Sequence, residues 1–196
     1  MSREDSRGAP DIRRETDAVL PEYASIPVAF EVREVLDLAP LSRRASALST
    51  RAIPPYRKDY NELPDNSPLS WATQHDTSRW ISLIARVRND VVAGAIAVTD
   101  PNDVVELGGR EGNALLWDVR VGPEFRRHGF GRALISAAEQ VARDAGAQAL
   151  DVETQDTNVP ACTLYLACGY TLTAVQPHAY EPVTDEAKLL WTKAPL

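Results

Sequence analysis

The stretch "PEFRRHGFGRALI", residues 123–135, decides how the chain is read. Pro123 opens it, Arg126 and Arg127 follow, and Gly129 and Gly131 flank Phe130 just before an apolar helical pattern begins. A helix N-terminus presents unpaired backbone N–H groups and the positive end of the helix dipole. Glycines let the backbone turn sharply and let an anion come close. With Arg126, Arg127 and Arg132 around them, a phosphate site is the natural reading. The common nucleotide loops do not fit. A Walker loop needs Lys-Ser or Lys-Thr after its second glycine, and none follows. A dinucleotide loop needs a third glycine where Leu134 stands, although Asp151 and Glu153 lie at a tempting distance for a ribose contact. The plain alternative is a strand-to-helix turn carrying surface arginines.

Working outward, "ALLWDVRV" (114–121) is nearly all apolar and reads as a central strand. After the turn, Leu134, Ile135, Ala138, Val141, Ala142 and Ala145 mark one helical face, and Gly146 ends the helix. "AQALDVETQ" (147–155) reads as a strand. "NVPACTLYLACGY" (158–170) reads as a short helix, with Asn158 or Val159 before it, Pro160 in its first turn and Gly169 past its end. Strands at about 170–179 and 186–194 close the chain. Upstream, "WISLIARVR" (80–88) and "VVAGAIAVTD" (91–100) read as strands joined by a tight hairpin at Asn89-Asp90. A glycine-rich loop follows over 101–113. Residues 26–38 read as the first strand, and residues 1–22 as a flexible arm before a single domain over 23–196. Residues 39–79, with Pro40, Pro54, Pro55, Pro64 and Pro68, read as short elements and loops rather than a long helix. Such loops often meet substrate.

The 196 residues suffice for one sizeable domain, and 44% hydrophobic and 25% charged content are ordinary for a globular protein. The net charge of -7 argues against a nucleic-acid partner and tolerates a cationic substrate. No apolar run is long enough to span a bilayer, and the N-terminus lacks the apolar core of a secretory signal, so no membrane partner and a cytoplasmic location are expected. Cys162 and Cys168 lie six apart in one helix, point to different sides and should not pair. Two cysteines and three scattered histidines do not make a zinc site, so no metal is expected.

The motif residues Val121, Pro123, Arg126, Gly129 and Gly131, within "VRVGPEFRRHGFGRALI", closely resemble the signature of the GCN5-related N-acetyltransferases. A second motif of that family is matched by Asn158, Tyr165 and the pair Gly169-Tyr170. The two motifs cover about 115–170. The resemblance implies an α/β fold with a mixed, mostly antiparallel sheet of six to seven strands. That sheet is splayed between the family's fourth and fifth strands and flanked by helices. It implies acetyl-coenzyme A as cosubstrate. Backbone N–H groups of Arg127, His128, Gly129, Phe130, Gly131 and Arg132 would hold the pyrophosphate, with Arg126 beside them. Val119 and Val121 would pair with the pantetheine arm like an added strand, and Asn158 would bond to it. A homodimer is compatible with the family.

Acetyl transfer to an amine needs a neutral amine, a stabilised carbonyl oxygen and a proton for the leaving thiolate. A backbone N–H near Val119 suits the oxyanion. The resemblance makes Tyr165 the acid; packing on the core is its alternative role. For the base, Asp118 is a carboxylate in an apolar strand, where a role or a partner is required. Glu153 competes, sharing a strand face with Asp151. A salt bridge to Arg120 or Arg126 is the alternative for either acid, and a water chain could carry the proton instead. Trp117 is expected on the face opposite Asp118, in the core. Trp71, Trp80, Tyr56, Tyr60 and Tyr180 could line an acceptor pocket or simply pack.

For the acceptor, a more distant likeness points to bacterial acetylation of streptothricin-type antibiotics. A small cationic molecule, an antibiotic or a polyamine, is the expected substrate. Acetylation of protein N-termini or lysines is the competing activity, and a non-catalytic acetyl-coenzyme A sensor is the competing class.

Overall fold

The computed structural model describes residues 10–38, 48–63 and 66–196. The strands are β1 (Ile12–Glu15), β2 (Phe30–Leu36), β3 (Thr50–Lys58), β4 (Ile81–Val87), β5 (Asp90–Val98), β6 (Ala114–Val121), β7 (Leu150–Gln155), β8 (Thr171–Gln176) and β9 (Lys188–Lys193). The helices are α1 (Leu20–Ala24), α2 (Pro68–Gln74), α3 (Pro101–Glu106), α4 (Phe130–Asp144) and α5 (Val159–Ala167). Seven strands form one sheet in the order β1-β4-β5-β6-β7-β9-β8, and β2 and β3 form a separate pair. Within the seven, β6 and β7 are parallel and the other neighbours antiparallel. The mixed, mostly antiparallel α/β sheet expected from the sequence is therefore present.

Each face of the sheet carries its own core. On one face Ala93, Ala95 and Ala97 of β5 pack with Leu134, Ile135, Ala138, Val141 and Ala142 of α4 and with Cys162 and Tyr165 of α5. On the other, Ile84, Ile96, Val98 and Leu115 meet Leu20 and Tyr23 of α1, Trp71 of α2 and Val104 of α3. With both faces covered, β5 reads as a continuous apolar run. A Cβ at Gly94 would lie 2.7 Å from the Tyr23 ring, so glycine there lets Tyr23 lie flat on the sheet.

Several elements differ from the sequence reading. Part of the expected N-terminal arm, residues 1–9, lies outside the described residues. The rest is ordered: Ile12–Glu15 pairs with β4, and Arg86 ties Glu15 and Glu22 to it. The strand expected over 26–38 is the second strand and pairs with β3, outside the main sheet. The strand β3 runs through Pro54 and Pro55, which a two-stranded pair tolerates because both fall where the register shifts opposite Arg33 and no ladder bond is needed. The hairpin turns at Arg88-Asn89, one residue early, with Arg88 at φ 59°. The expected glycine-rich loop begins as α3, capped by Asp100, whose side chain accepts from the Asn102 and Asp103 N–H groups. Asp-Pro is itself a helix-start signal. Ala145 falls past the last turn of α4 and is exposed. Among the described residues no helix is long and apolar enough to cross a membrane.

Candidate active site

The site grows from one interruption in the sheet. Strands β6 and β7 pair over Ala114–Leu116 and Leu150–Val152 only, so they diverge from Trp117 onward. On its other edge β6 stays paired to β5 out to Val121. Gly122 N–H bonds the Val92 carbonyl at 2.9 Å. By alternation, the backbone groups of Val119 and Val121 then face away from β5, into the gap. The Val121 carbonyl accepts from Arg126 Nε at 3.1 Å there.

At the end of β6 the chain enters the arginine-glycine turn. Arg127 takes φ 67° and Gly129 φ 89°, the left-handed region where a side chain is strained. The first bond of α4 is Ala133 N–H to the Gly129 carbonyl at 3.0 Å. The N–H groups of Gly129, Phe130, Gly131 and Arg132 are thus left without helical acceptors, as an anion site requires. The arginine side chains divide their work. Arg126 bonds the carbonyls of Val121, Pro27 and Ala29, and burial lowers its pKa. Arg132 donates to the Ala167 carbonyl at 3.1 Å and so closes the end of α5. Arg127 and His128 are exposed, with His128 Nδ1 2.8 Å from the Arg126 carbonyl. Phe130 packs edge-on to Phe125.

Tyr165 lies on α5 with 6% of its surface exposed, beside Tyr170 and Trp191. Burial, reinforced by nearby groups that include Tyr60 and Asp118, pushes its hydroxyl well above the ordinary phenol range. Asn158 is committed within the protein. Its Oδ1 accepts from Ala161 N–H and caps α5, while its Nδ2 donates to the Tyr60 hydroxyl at 3.0 Å.

Asp118 has the partner its burial demanded. Its Oδ2 accepts from Arg120 Nε at 2.5 Å and from the Tyr23 hydroxyl at 2.9 Å. Arg120 is buried over the Tyr23 and Trp71 rings and also donates to Asn61 Oδ1 at 3.0 Å. No described residue donates to Asp118 Oδ1. Glu153 is more fully engaged: Oε1 accepts from the Tyr180 hydroxyl at 2.6 Å and Oε2 pairs with Lys188. Its strand neighbour Asp151 is buried and held by Arg110, Asn113 and Thr192, so it is structural.

Trp117 is not opposite Asp118. The β5–β6 register places Ile96 against Asp118 and Ala97 against Leu116, so Trp117 is an extra, bulged residue. The bulge puts Trp117 and Asp118 on the same face. Trp117 is half-buried there against Trp71, Trp80 and His75. Of the other aromatic candidates, Trp71 and Trp80 are core, Tyr56 bonds Glu186, and Tyr60 and Tyr180 meet through Gln155. Tyr23, Asn61 and Arg120 escaped the sequence reading as site groups. Only Arg120 carried a signal, as the same-face neighbour of Asp118.

The comparisons bear on the family and the fold. The family model described as "Acetyltransferase (GNAT) family" matches residues 45–170. A streptothricin acetyltransferase of Escherichia coli is 31% identical over 166 residues, covering 83% of each chain. Among solved structures, a Bacillus anthracis protein assigned to the streptothricin acetyltransferases, in complex with acetyl coenzyme A, superposes with a TM-score of 0.72 at 25% identity. It covers 95% of this chain and 99% of its own. A nourseothricin acetyltransferase shares the fold with a TM-score of 0.72 at 21% identity, covering 96% of this chain and all of its own. A splayed sheet with its donor-lined turn and a family match across most of the chain lead to one assignment: the chain belongs to the GNAT family of acetyltransferases and is an acyl-CoA-dependent N-acetyltransferase.

Proposed function

We propose that this enzyme moves the acetyl group of acetyl-coenzyme A to a primary amine of a small cationic molecule of the streptothricin class. The observation that carries the reading is the divergence of β6 from β7, with Asp118 on β6 where it opens, the arginine-glycine turn directly after β6 and Tyr165 on α5 directly after β7. The likeness to the Escherichia coli streptothricin acetyltransferase supports the acceptor class.

In this reading the N–H groups from Arg127 to Arg132 bind the pyrophosphate, and the gap-facing backbone of Val119 and Val121 orients the pantetheine arm. The Val119 N–H stabilises the carbonyl oxygen as charge develops. Asp118 Oδ1, the carboxylate oxygen with no described donor, receives the proton from the attacking amine. Glu153, with both oxygens engaged, is the weaker base. As the C–N bond forms and the C–S bond breaks, the departing thiolate takes the Tyr165 phenolic proton, and solvent restores it. A phenol kept neutral by burial always has that proton to give. Asn158 acts mainly by fixing the start of α5 and hence Tyr165. The test is thiol release with streptothricin, spermidine and a peptide N-terminus as acceptors. Turnover with streptothricin supports the reading. Turnover with the peptide alone, or acetyl-coenzyme A binding without turnover, refutes it.

A further inference from the structure

A buried polar cluster away from the reacting groups is built on Lys58. Its Nζ lies 2.5 Å from Glu186 Oε2 and 3.3 Å from Thr157 Oγ1, and it sits 4.9 Å from the centre of the Tyr60 ring. Lys58 and Glu186 are 6% and 8% exposed. Glu186 also accepts from the Tyr56 hydroxyl at 3.2 Å, Thr157 Oγ1 at 2.9 Å and Thr184 Oγ1 at 3.3 Å. A buried ion pair gives little net stability over well-packed apolar groups. A fully satisfied network does fix one arrangement of the segments it joins. The segments here are β3, the turn between β7 and α5, and the chain entering β9.

The residues just after Lys58 give that arrangement a purpose. Asp59 caps a one-turn helix over Tyr60–Glu62 by accepting from Asn61 N–H at 3.1 Å. The Tyr60 hydroxyl donates to Gln155 Oε1 at 2.6 Å and accepts from Asn158 Nδ2 at 3.0 Å. Asn61 Oδ1 accepts from Arg120 Nη1 at 3.0 Å. Tyr60 therefore holds the β7–α5 side of the gap and Asn61 the β6 side. Two adjacent residues bridge the place where the sheet opens.

We propose that Lys58 and Glu186 are positioning residues for acetyl transfer. They anchor the Tyr60–Asn61 turn across the gap, where it forms the acceptor-side wall and braces the Arg120–Asp118 pair. This rests on the proposed function, in which the acceptor amine meets the donor thioester at the gap, beside Asp118. The two-stranded β2–β3 unit, which stands outside the main sheet, then has a role: it delivers that wall.

The test measures kcat and KM for streptothricin and for acetyl-coenzyme A separately, with thermal melting alongside. Lys58→Met should raise the streptothricin KM at least tenfold and lower kcat, with the acetyl-coenzyme A KM within twofold of wild type. The swapped pair K58E/E186K should recover part of the loss. Asn61→Ala leaves the buried pair intact and carries the same test if Lys58→Met does not fold; it should lower kcat/KM for streptothricin about tenfold. Wild-type kinetics in a folded Lys58→Met, or in Asn61→Ala, overturn the positioning role while leaving the acceptor assignment standing. Equal loss for both substrates also overturns it, since that is general destabilisation. A wild-type enzyme inactive toward streptothricin overturns the acceptor assignment and the positioning role together.

Discussion

Replacing Tyr165 by phenylalanine separates chemistry from packing at the residue on which the proposed mechanism turns. The ring sits in the core between Tyr170 and Trp191, with centroids 5.8 and 6.4 Å away, and phenylalanine keeps both contacts. The hydroxyl makes no hydrogen bond to another described residue. Removing a hydroxyl that bonds no described residue costs little, so the stability change should stay below about 1 kcal/mol. The catalytic effect should be much larger. General acid catalysis contributes about 10²–10⁴-fold, so a loss of about 10²–10³ in kcat is expected, or about 2.7–4 kcal/mol of transition-state stabilisation. The acetyl-coenzyme A KM should hardly move, because the hydroxyl acts only as the C–S bond breaks. Burial holds the phenol protonated, so wild-type kcat should show no alkaline decline from this group up to about pH 10, the ordinary phenol pKa. The assay is thiol release with saturating streptothricin, run beside thermal melting. A folded Tyr165→Phe with wild-type kcat would falsify the acid role and leave Tyr165 as packing.

Asp118→Asn should lower kcat/KM for the acceptor about 100-fold, whereas Glu153→Gln should change it only a few-fold; the reverse order of losses would make Glu153 the base. Gly129→Val forces a β-branched residue to φ 89° and should raise the acetyl-coenzyme A KM with little effect on the acceptor KM; normal donor affinity by calorimetry would refute the pyrophosphate turn. Burial pushes the Asp151 carboxyl up, but the bonds from Arg110, Asn113 and Thr192 outweigh it and hold its pKa below the usual value. Its contribution to stability is therefore present above about pH 4 and lost as pH falls through the lowered pKa. Asp151→Asn should cost about 2–3 kcal/mol at neutral pH and less in acid, measured by denaturant unfolding; a loss independent of pH would contradict the sign.

Much of the local structure around the candidate site was legible because it is set by neighbours in the chain. The turn at 126–131, the buried face of α4 and the Asn158-capped α5 each follow from residues adjacent in the chain. Backbone N–H groups at a helix start need only the right short sequence around them. Side-chain assignments that depended on counting along a strand failed where the count was broken. A single bulged residue moved Trp117 to the face of Asp118, and no periodicity in "LLWDVRV" announces it. The prolines of β3 hid a strand because their tolerance depends on a partner, β2, whose register shifts opposite them.

The sequence by itself determined the arginine-glycine turn, the helix that follows it and the Asn158-capped helix that carries Tyr165, since short-range geometry suffices for these. Tertiary structure alone decided where the charges went. It committed Arg126 and Arg132 to backbone carbonyls, chose Arg120 rather than Arg126 for Asp118 and added Tyr23 to that pair, and engaged both oxygens of Glu153. It also brought Lys58 and Glu186, 128 positions apart, together beside the Tyr60–Asn61 turn. Charges and buried polar groups are satisfied by whatever the fold brings within hydrogen-bond reach, and that choice reaches across as many as 130 positions of sequence rather than staying within a motif.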